Sequence, residues 1–182
     1  MALLNTALPM TGVDMPESLP YQPRFTPRQF RDAMGQFATG VVVITADAAG
    51  DVHAMTANAF MSGSLEPALI LVSVARTARM HEKIQETGHF GVSVLAQHQR
   101  HTSNHFAGKP TGDSQPEFER LHDVPVIADA VMQLAAQLRH VYPCGDHTLF
   151  VGEVFDLKLL DEDGPEPLLF HRGRYGKLTH LE

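Results

Sequence analysis

The sequence predicts a mainly β protein, a closed antiparallel barrel carrying helical additions. Apolar runs are short, hairpin-type turns separate them, and only two or three stretches show helical spacing. At 182 residues, 43% hydrophobic and 19% charged, the chain can bury one core without staples and reads as a single soluble domain. No internal repeat and no linker divides it.

Residues 1–24 hold four prolines and no Lys or Arg before Arg24, which is not the pattern of a secretory signal. They read as an extended arm that crosses onto a partner subunit, ahead of a domain spanning 25–182. Thr26-Pro27 starts a helix with a hydroxyl cap and a proline at the first position; Phe30, Met34 and Phe37 recur at helical spacing, and Gly40 is read as the stop. Val41 to Ala46 is apolar or β-branched throughout, as in a strand buried on both faces. Ala48-Ala49-Gly50-Asp51 turns the chain into a second strand over 52–57, and 68–74 forms a third. A helix over 78–87 ends at Gly88, a strand follows over 90–95, and 97–107 reads as helix. Gly108–Gln115 is loop. The stretch 131–142 is ambiguous, because its Ala and Gln content favours helix while Leu134, Ala136 and Leu138 alternate as in a strand. Strands over 149–157 and 168–171, separated by Pro165-Glu166-Pro167, close the set.

A net charge of −7 argues against nucleic acid or an anionic membrane as partner, and nothing approaches the ~18 consecutive apolar residues of a membrane span. The single cysteine, Cys144, excludes an internal disulfide and fits a reducing cytoplasm. Neither common nucleotide-binding signature is present, so any nicotinamide cofactor is held without a dinucleotide-binding fold.

Four constellations carry chemistry. Thr56, Ala57 and Asn58 at a strand end, with Ser62 and Ser64 after them, mix apolar surface and donors as a flavin ring requires; an ordinary strand-to-loop exit looks the same. From Ser73 to His81 a strand end runs into a helix start with Arg76 and Arg79 nearby, which suits a phosphate and equally suits a capped, solvated helix. His98, His101 and His105 share a helical face as metal ligands sometimes do, but with eleven histidines in the chain chance clustering is expected, and no metal is assigned. Finally, Gly145-Asp146-His147-Thr148 puts a histidine where a turn meets a strand; no nucleophile motif accompanies it, and Cys144 is read as incidental.

Taken together, Phe37-Ala38-Thr39-Gly40-Val41-Val42-Val43-Ile44-Thr45, then Met55-Thr56-Ala57-Asn58-Ala59-Phe60, Ser64-Leu65-Glu66-Pro67 and the Gly-Asp-His-Thr run resemble the flavin reductase family. The resemblance covers residues of about 26 to 178. It implies an antiparallel split barrel, usually a homodimer with flavin near the subunit interface, and it decides 131–142 for strand, in a long hairpin turning at Gly-Asp-His. It implies hydride transfer from NADH or NADPH to FMN or FAD, with reduced flavin passed to a separate flavin-dependent monooxygenase. A flavin carrier without turnover is the alternative on the same barrel. By the same resemblance Ser73, Val74 and Ala75 contact the flavin, Arg79 and Met80 its phosphate, and His105-Phe106 pack on it. The family usually has serine near Thr77 and serine or threonine at Met80, so this chain departs there. His147 faces the nicotinamide as the catalytic positioning group, with Asp146 beside it among the cofactor-binding residues, and Arg172 and Tyr175 line the same pocket.

Overall fold

The structure is a computed structural model that describes residues 23–110, 115–160 and 164–179. Residues 1–22 of the expected arm over 1–24, and residues 111–114 of the expected loop, lie outside the described residues.

Helix α1 (Pro27–Met34) begins with a full capping box: Gln29 N–H donates to Thr26 Oγ1, and Thr26 N–H donates to Gln29 Oε1. It ends at Gly35, before the predicted stop. Gln36 and Phe37 bond back three residues, unwinding the helix, and Thr39–Gly40 becomes a short strand, β1. Ladder bonds available from a distant strand outweigh the helical spacing of Phe37.

Strands β2 (Val42–Ala48) and β3 (Asp51–Ala57) form the predicted hairpin, with positive φ at both Ala49 and Gly50 and Gly50 N–H donating to Asp47 Oδ1 at 2.7 Å. Only Asn58 and Ala59 then separate β3 from β4 (Phe60–Leu65), where the sequence reading expected loop. That strand is poorly buried on both faces, so no period-two pattern marks it; pairing with β5 (Ala68–Ala75) makes it a strand. Helix α2 (Arg79–Thr87) ends as expected, with Gly88 at φ 66. After β6 (His89–Val94) the predicted helix divides into a 3₁₀ turn (Gln97–Gln99) and α3 (Arg100–Phe106). A small hairpin, β7 (Phe118–Leu121) and β8 (Val124–Ile127), was not anticipated. The ambiguous stretch is strand: β9 (Met132–Cys144) pairs along its length with β10 (His147–Leu159), turning at Gly145-Asp146. Strands β11 (Leu169–His171) and β12 (Arg174–Gly176) close the chain, and β1 pairs with β11.

The main sheet runs β3-β2-β6-β9-β10-β5-β4. Its edge strands, β3 and β4, are consecutive in the chain, so Ala57 and Phe60 lie at most about 11 Å apart across three Cα–Cα steps. The sheet therefore curls until its edges meet, yet no ladder joins them: the barrel is split, not closed.

One core fills the barrel, with Val42, Ile44, Val72, Val74, Phe90, Leu134 and Phe150 joined by Met80 and Ile84 from α2. A second lies on the other side of β2, where Val41 and Val43 meet Leu95, Ile127, Ala130 and Leu168. This double duty explains the unbroken apolar run from Val41, since alternate residues enter different cores. No helix among the described residues is long and apolar enough to cross a membrane.

Candidate active site at the β9–β10 hairpin tip

Two segments far apart in sequence meet here. β10 pairs with β5 so that His147 opposes Ala75, Thr148 opposes Val74 and Leu149 opposes Ser73. His147 is the last rung, and Arg76 N–H donates to the Asp146 carbonyl just beyond it at 3.1 Å. Strand alternation then sorts the side chains. Val72, Val74, Thr148 and Phe150 point into the barrel and are buried, whereas Ser73, Ala75, His147 and Leu149 face outward and are half-exposed.

At the turn, His147 Nδ1 and Asp146 Oδ1 are 2.8 Å apart. A carboxylate can only accept, so Nδ1 carries the proton and Nε2 presents its lone pair away from the turn. The hydrogen bond from His147 holds the Asp146 carboxyl below the usual carboxylate range.

The outward face leads into a groove of about 1460 Å³. Ser73 and Leu149 line it, together with Asn58, Phe60, Thr39 and Arg172. Arg172 sits in the β11–β12 turn at φ 50, and its N–H donates to the Gly35 carbonyl at 2.9 Å, which anchors that turn to the end of α1. Thr39 Oγ1 is buried in the groove wall, without a hydrogen-bond partner among the described residues. Sequence reasoning missed Thr39 and Leu149: nothing local marks either as part of a site.

Other expected residues fall elsewhere or act differently. Met80 is fully buried and Val74 nearly so, both in the barrel core, so each can offer a ligand only its backbone. Arg79 is exposed at the start of α2; burial, then the charge of Arg79, push the His53 imidazole below its ordinary value, which sets that arginine against β3. Ala57 packs on the barrel core. Ser62 and Ser64 lie along β4 opposite Ile70 and Leu69. Along β5, which runs from Ala68 to Ala75, those positions are about 10 and 13 Å of strand away from Ser73, so the structure does not bring Ser62 and Ser64 to His147.

A third group gathers around α3. Thr56 Oγ1 donates to the Ser103 carbonyl at 2.7 Å, and the Tyr175 hydroxyl lies 2.9 Å from both Asn104 Oδ1 and Ser103 Oγ. Phe106 packs on the second core with His105 edge-on at 4.9 Å. These contacts hold β12 and α3 together, and none reaches the Gly-Asp-His turn. Among the described residues no group of three or more His, Cys, Asp or Glu is arranged to hold a metal ion. His98 lies in the 3₁₀ turn, and His101 and His105 lie in α3.

Residues 34–179 match the family described as the flavin reductase like domain. The chain belongs to the flavin reductase family. Within that family it is 43% identical over 162 residues to an NADH-dependent flavin reductase of a Rhodococcus species, covering 87% of this chain and 90% of the relative. It is 38% identical over 144 residues to the reductase component of a Thermus thermophilus 4-hydroxyphenylacetate 3-monooxygenase, covering 79% and 92%. Among solved structures, flavin reductase PheA2 in its native state superposes with a TM-score of 0.81 at 47% identity, covering 86% of this chain and all 100% of that one. The flavin reductase fold thus accounts for the split barrel seen here.

Proposed function

We propose that this protein is an NADH-dependent flavin reductase that supplies reduced flavin to a separate flavin-dependent monooxygenase. The observation that carries the reading is the pairing of the Gly-Asp-His turn with the end of β5, two residues along from Ser73 and Leu149 in the lining of a large groove, on a chain of the flavin reductase family. Relatives named as NADH-dependent reductases, and one as a monooxygenase component, support the donor and the partner.

The groove suits a flavin: its walls are largely apolar, and Asn58 and Ser73 supply polar contacts. Ser73 and Ala75 would hold the ring along the outward face of β5, Arg172 would close one side, and Arg79 with the free N–H groups at the start of α2 would hold the phosphate. When bound, flavin and nicotinamide supply the hydride chemistry themselves. The protein's share is placement. The His147 Nε2 lone pair would accept a hydrogen bond from a carboxamide N–H, while Asp146 keeps the imidazole in that tautomer. Leu149 and Phe60 would keep water off the reacting faces.

A second copy of the chain completes this reading. Helix α1 buries none of its residues; Phe30 is 54% exposed, and Met34 and Phe37, which line the same groove, are 55% and 71% exposed. An apolar stripe of that size, continued by Met61 and Leu65 on β4, suits a homodimer interface. The exposed thiol of Cys144 and the use of NADH suit a reducing cytoplasm.

The test is to mix the purified protein with NADH and either FMN or FAD and follow loss of nicotinamide absorbance. Rapid flavin-dependent oxidation is expected. Replacing His147 with alanine should raise the KM for NADH by about three- to tenfold, the worth of one hydrogen bond, and lower kcat, with flavin affinity little changed. Flavin binding without NADH oxidation would replace the reductase with a carrier.

A further inference from the structure

We propose that His81, on the first turn of α2, is a positioning residue that holds His147 in place through Thr148. The inference rests on His147 meeting the nicotinamide, and it adds a residue that no reading above assigned to the site.

Thr148 follows His147 on β10, and strand alternation sends its side chain the other way, into the barrel, where it is 4% exposed. There its Oγ1 lies 2.8 Å from His81 Nε2. The state of the ring follows from its other side. Gln85 Nε2 lies 3.2 Å from His81 Nδ1 and also donates to the His81 carbonyl at 3.0 Å. An amide NH₂ only donates, so Nδ1 accepts and the imidazole proton sits on Nε2, directed at Thr148. The ring also stands edge-on to Phe150 at 5.3 Å, so packing and two hydrogen bonds fix its orientation.

Such a clamp matters because the hairpin tip has little else to hold it. β9 pairs with β6 only from Met132 to Gln137, and its outer residues, 139–144, are exposed. On the β10 side the ladder stops at His147–Ala75. Past that rung the Arg76–Asp146 backbone bond ties the tip to the corner between β5 and α2, and one rung before it the His81–Thr148 bond ties β10 to α2. His81 also lies two residues after Arg79, so one side chain links the proposed phosphate end of the groove to the histidine at its other element. A hydrogen bond between a half-buried imidazole and a buried hydroxyl on rigid elements fixes position to a fraction of an ångström, the tolerance that hydride transfer demands.

The experiment compares the full-length wild type with His81→Leu, His81→Gln and Thr148→Val, measuring kcat, the KM for NADH and the dissociation constant of FMN. Leu removes the donor. Gln can place its amide nitrogen near the Nε2 position, and Val removes the acceptor while keeping the shape. His81→Leu and Thr148→Val should each raise the KM for NADH and lower kcat by about three- to tenfold, with FMN affinity within about twofold. His81→Gln should restore most of the loss, and the Leu–Val double variant should be no worse than either single one. If His81→Leu fails to fold, Thr148→Val and His81→Gln carry the test.

The decisive arm repeats His81→Leu in a His147→Ala background, where no further rise in the NADH KM is expected. An equal rise in both backgrounds, or wild-type kinetics in a folded Leu variant, would overturn the proposal. Should His147→Ala itself leave the NADH KM unchanged, the reading of His147 fails, and that outcome is separate from any result at His81.

Discussion

Replacing Gly152 with alanine should destabilise the protein by about 1–3 kcal/mol. Gly152 is buried on β10, five residues along from His147, beside a bulge at Val151/Gly152. A Cβ added there would lie 2.6 Å from Phe90 Cζ, 2.7 Å from Phe90 Cε1 and 3.0 Å from Ala136 Cβ. Carbon atoms rest about 3.5–4.0 Å apart, so the Phe90 ring would have to retreat by about 1 Å. It has nowhere to go, being fully buried in the barrel core, and Ala136 belongs to the neighbouring strand. The added methyl brings about 0.8 kcal/mol of burial at best, less than the cost of overpacking. For a domain of this size each kcal/mol moves Tm by about 2–4 °C, so a fall of roughly 2–12 °C is expected in thermal unfolding followed by circular dichroism. Shortening the ring should relieve the collision, so the alanine should cost clearly less in a Phe90→Leu background than in the wild type. A Gly152→Ala protein within about 0.5 kcal/mol of wild type, or an equal cost in both backgrounds, would refute the steric reasoning.

Two other outcomes probe the site and its surroundings. The pair Phe30→Asp with Met34→Asp changes only exposed positions of α1, so the chain should still fold but sediment as a monomer; an unchanged sedimenting mass would remove that helix from the interface. Replacing Asp146 with alanine frees the His147 ring and should raise the KM for NADH by about three- to tenfold. The sign of its pH dependence follows from the lowered carboxyl: the pair is intact above the ordinary value of 3.8 and is lost only as pH falls through the lower folded value. Above the ordinary imidazole range the KM ratio of variant to wild type should therefore be flat, from about pH 7.5 to 9, and a slope in that window would show that Asp146 is not what holds the ring.

Where elements obey a local rule, they were legible in the chain. The Thr26 capping box, the Ala49-Gly50 turn and the left-handed Gly88 each depend on residues within a few positions, and each appears where its chemistry puts it. Strand β4 and the β7–β8 hairpin were not legible, because neither carries an alternation strong enough to stand out from loop. Helix α1 fails differently: Phe37 keeps helical spacing, yet the chain leaves the helix at Gly35 so that Thr39 and Gly40 can pair with residues 169–170. The candidate site divides along the same line. The Gly-Asp-His turn and the end of β5 were readable as motifs, and the register of β5 against β10 is what joins them. Ser62 and Ser64 looked equivalent to Asn58 in sequence, but an unforeseen strand carries them away from His147.

By itself the sequence determined the β-rich class, the hairpin turns, the family resemblance and the histidine at the head of β10, because short-range sterics, hydrogen bonding and local motif carry all of these. Only the tertiary structure decided which side chains face the groove. Burial depends on what the far end of the chain packs against, which is why Met80 and Phe106 lie in cores, Thr39 is left in the groove wall with a hydroxyl unpaired among the described residues, and His81 reaches Thr148 across 67 residues of sequence.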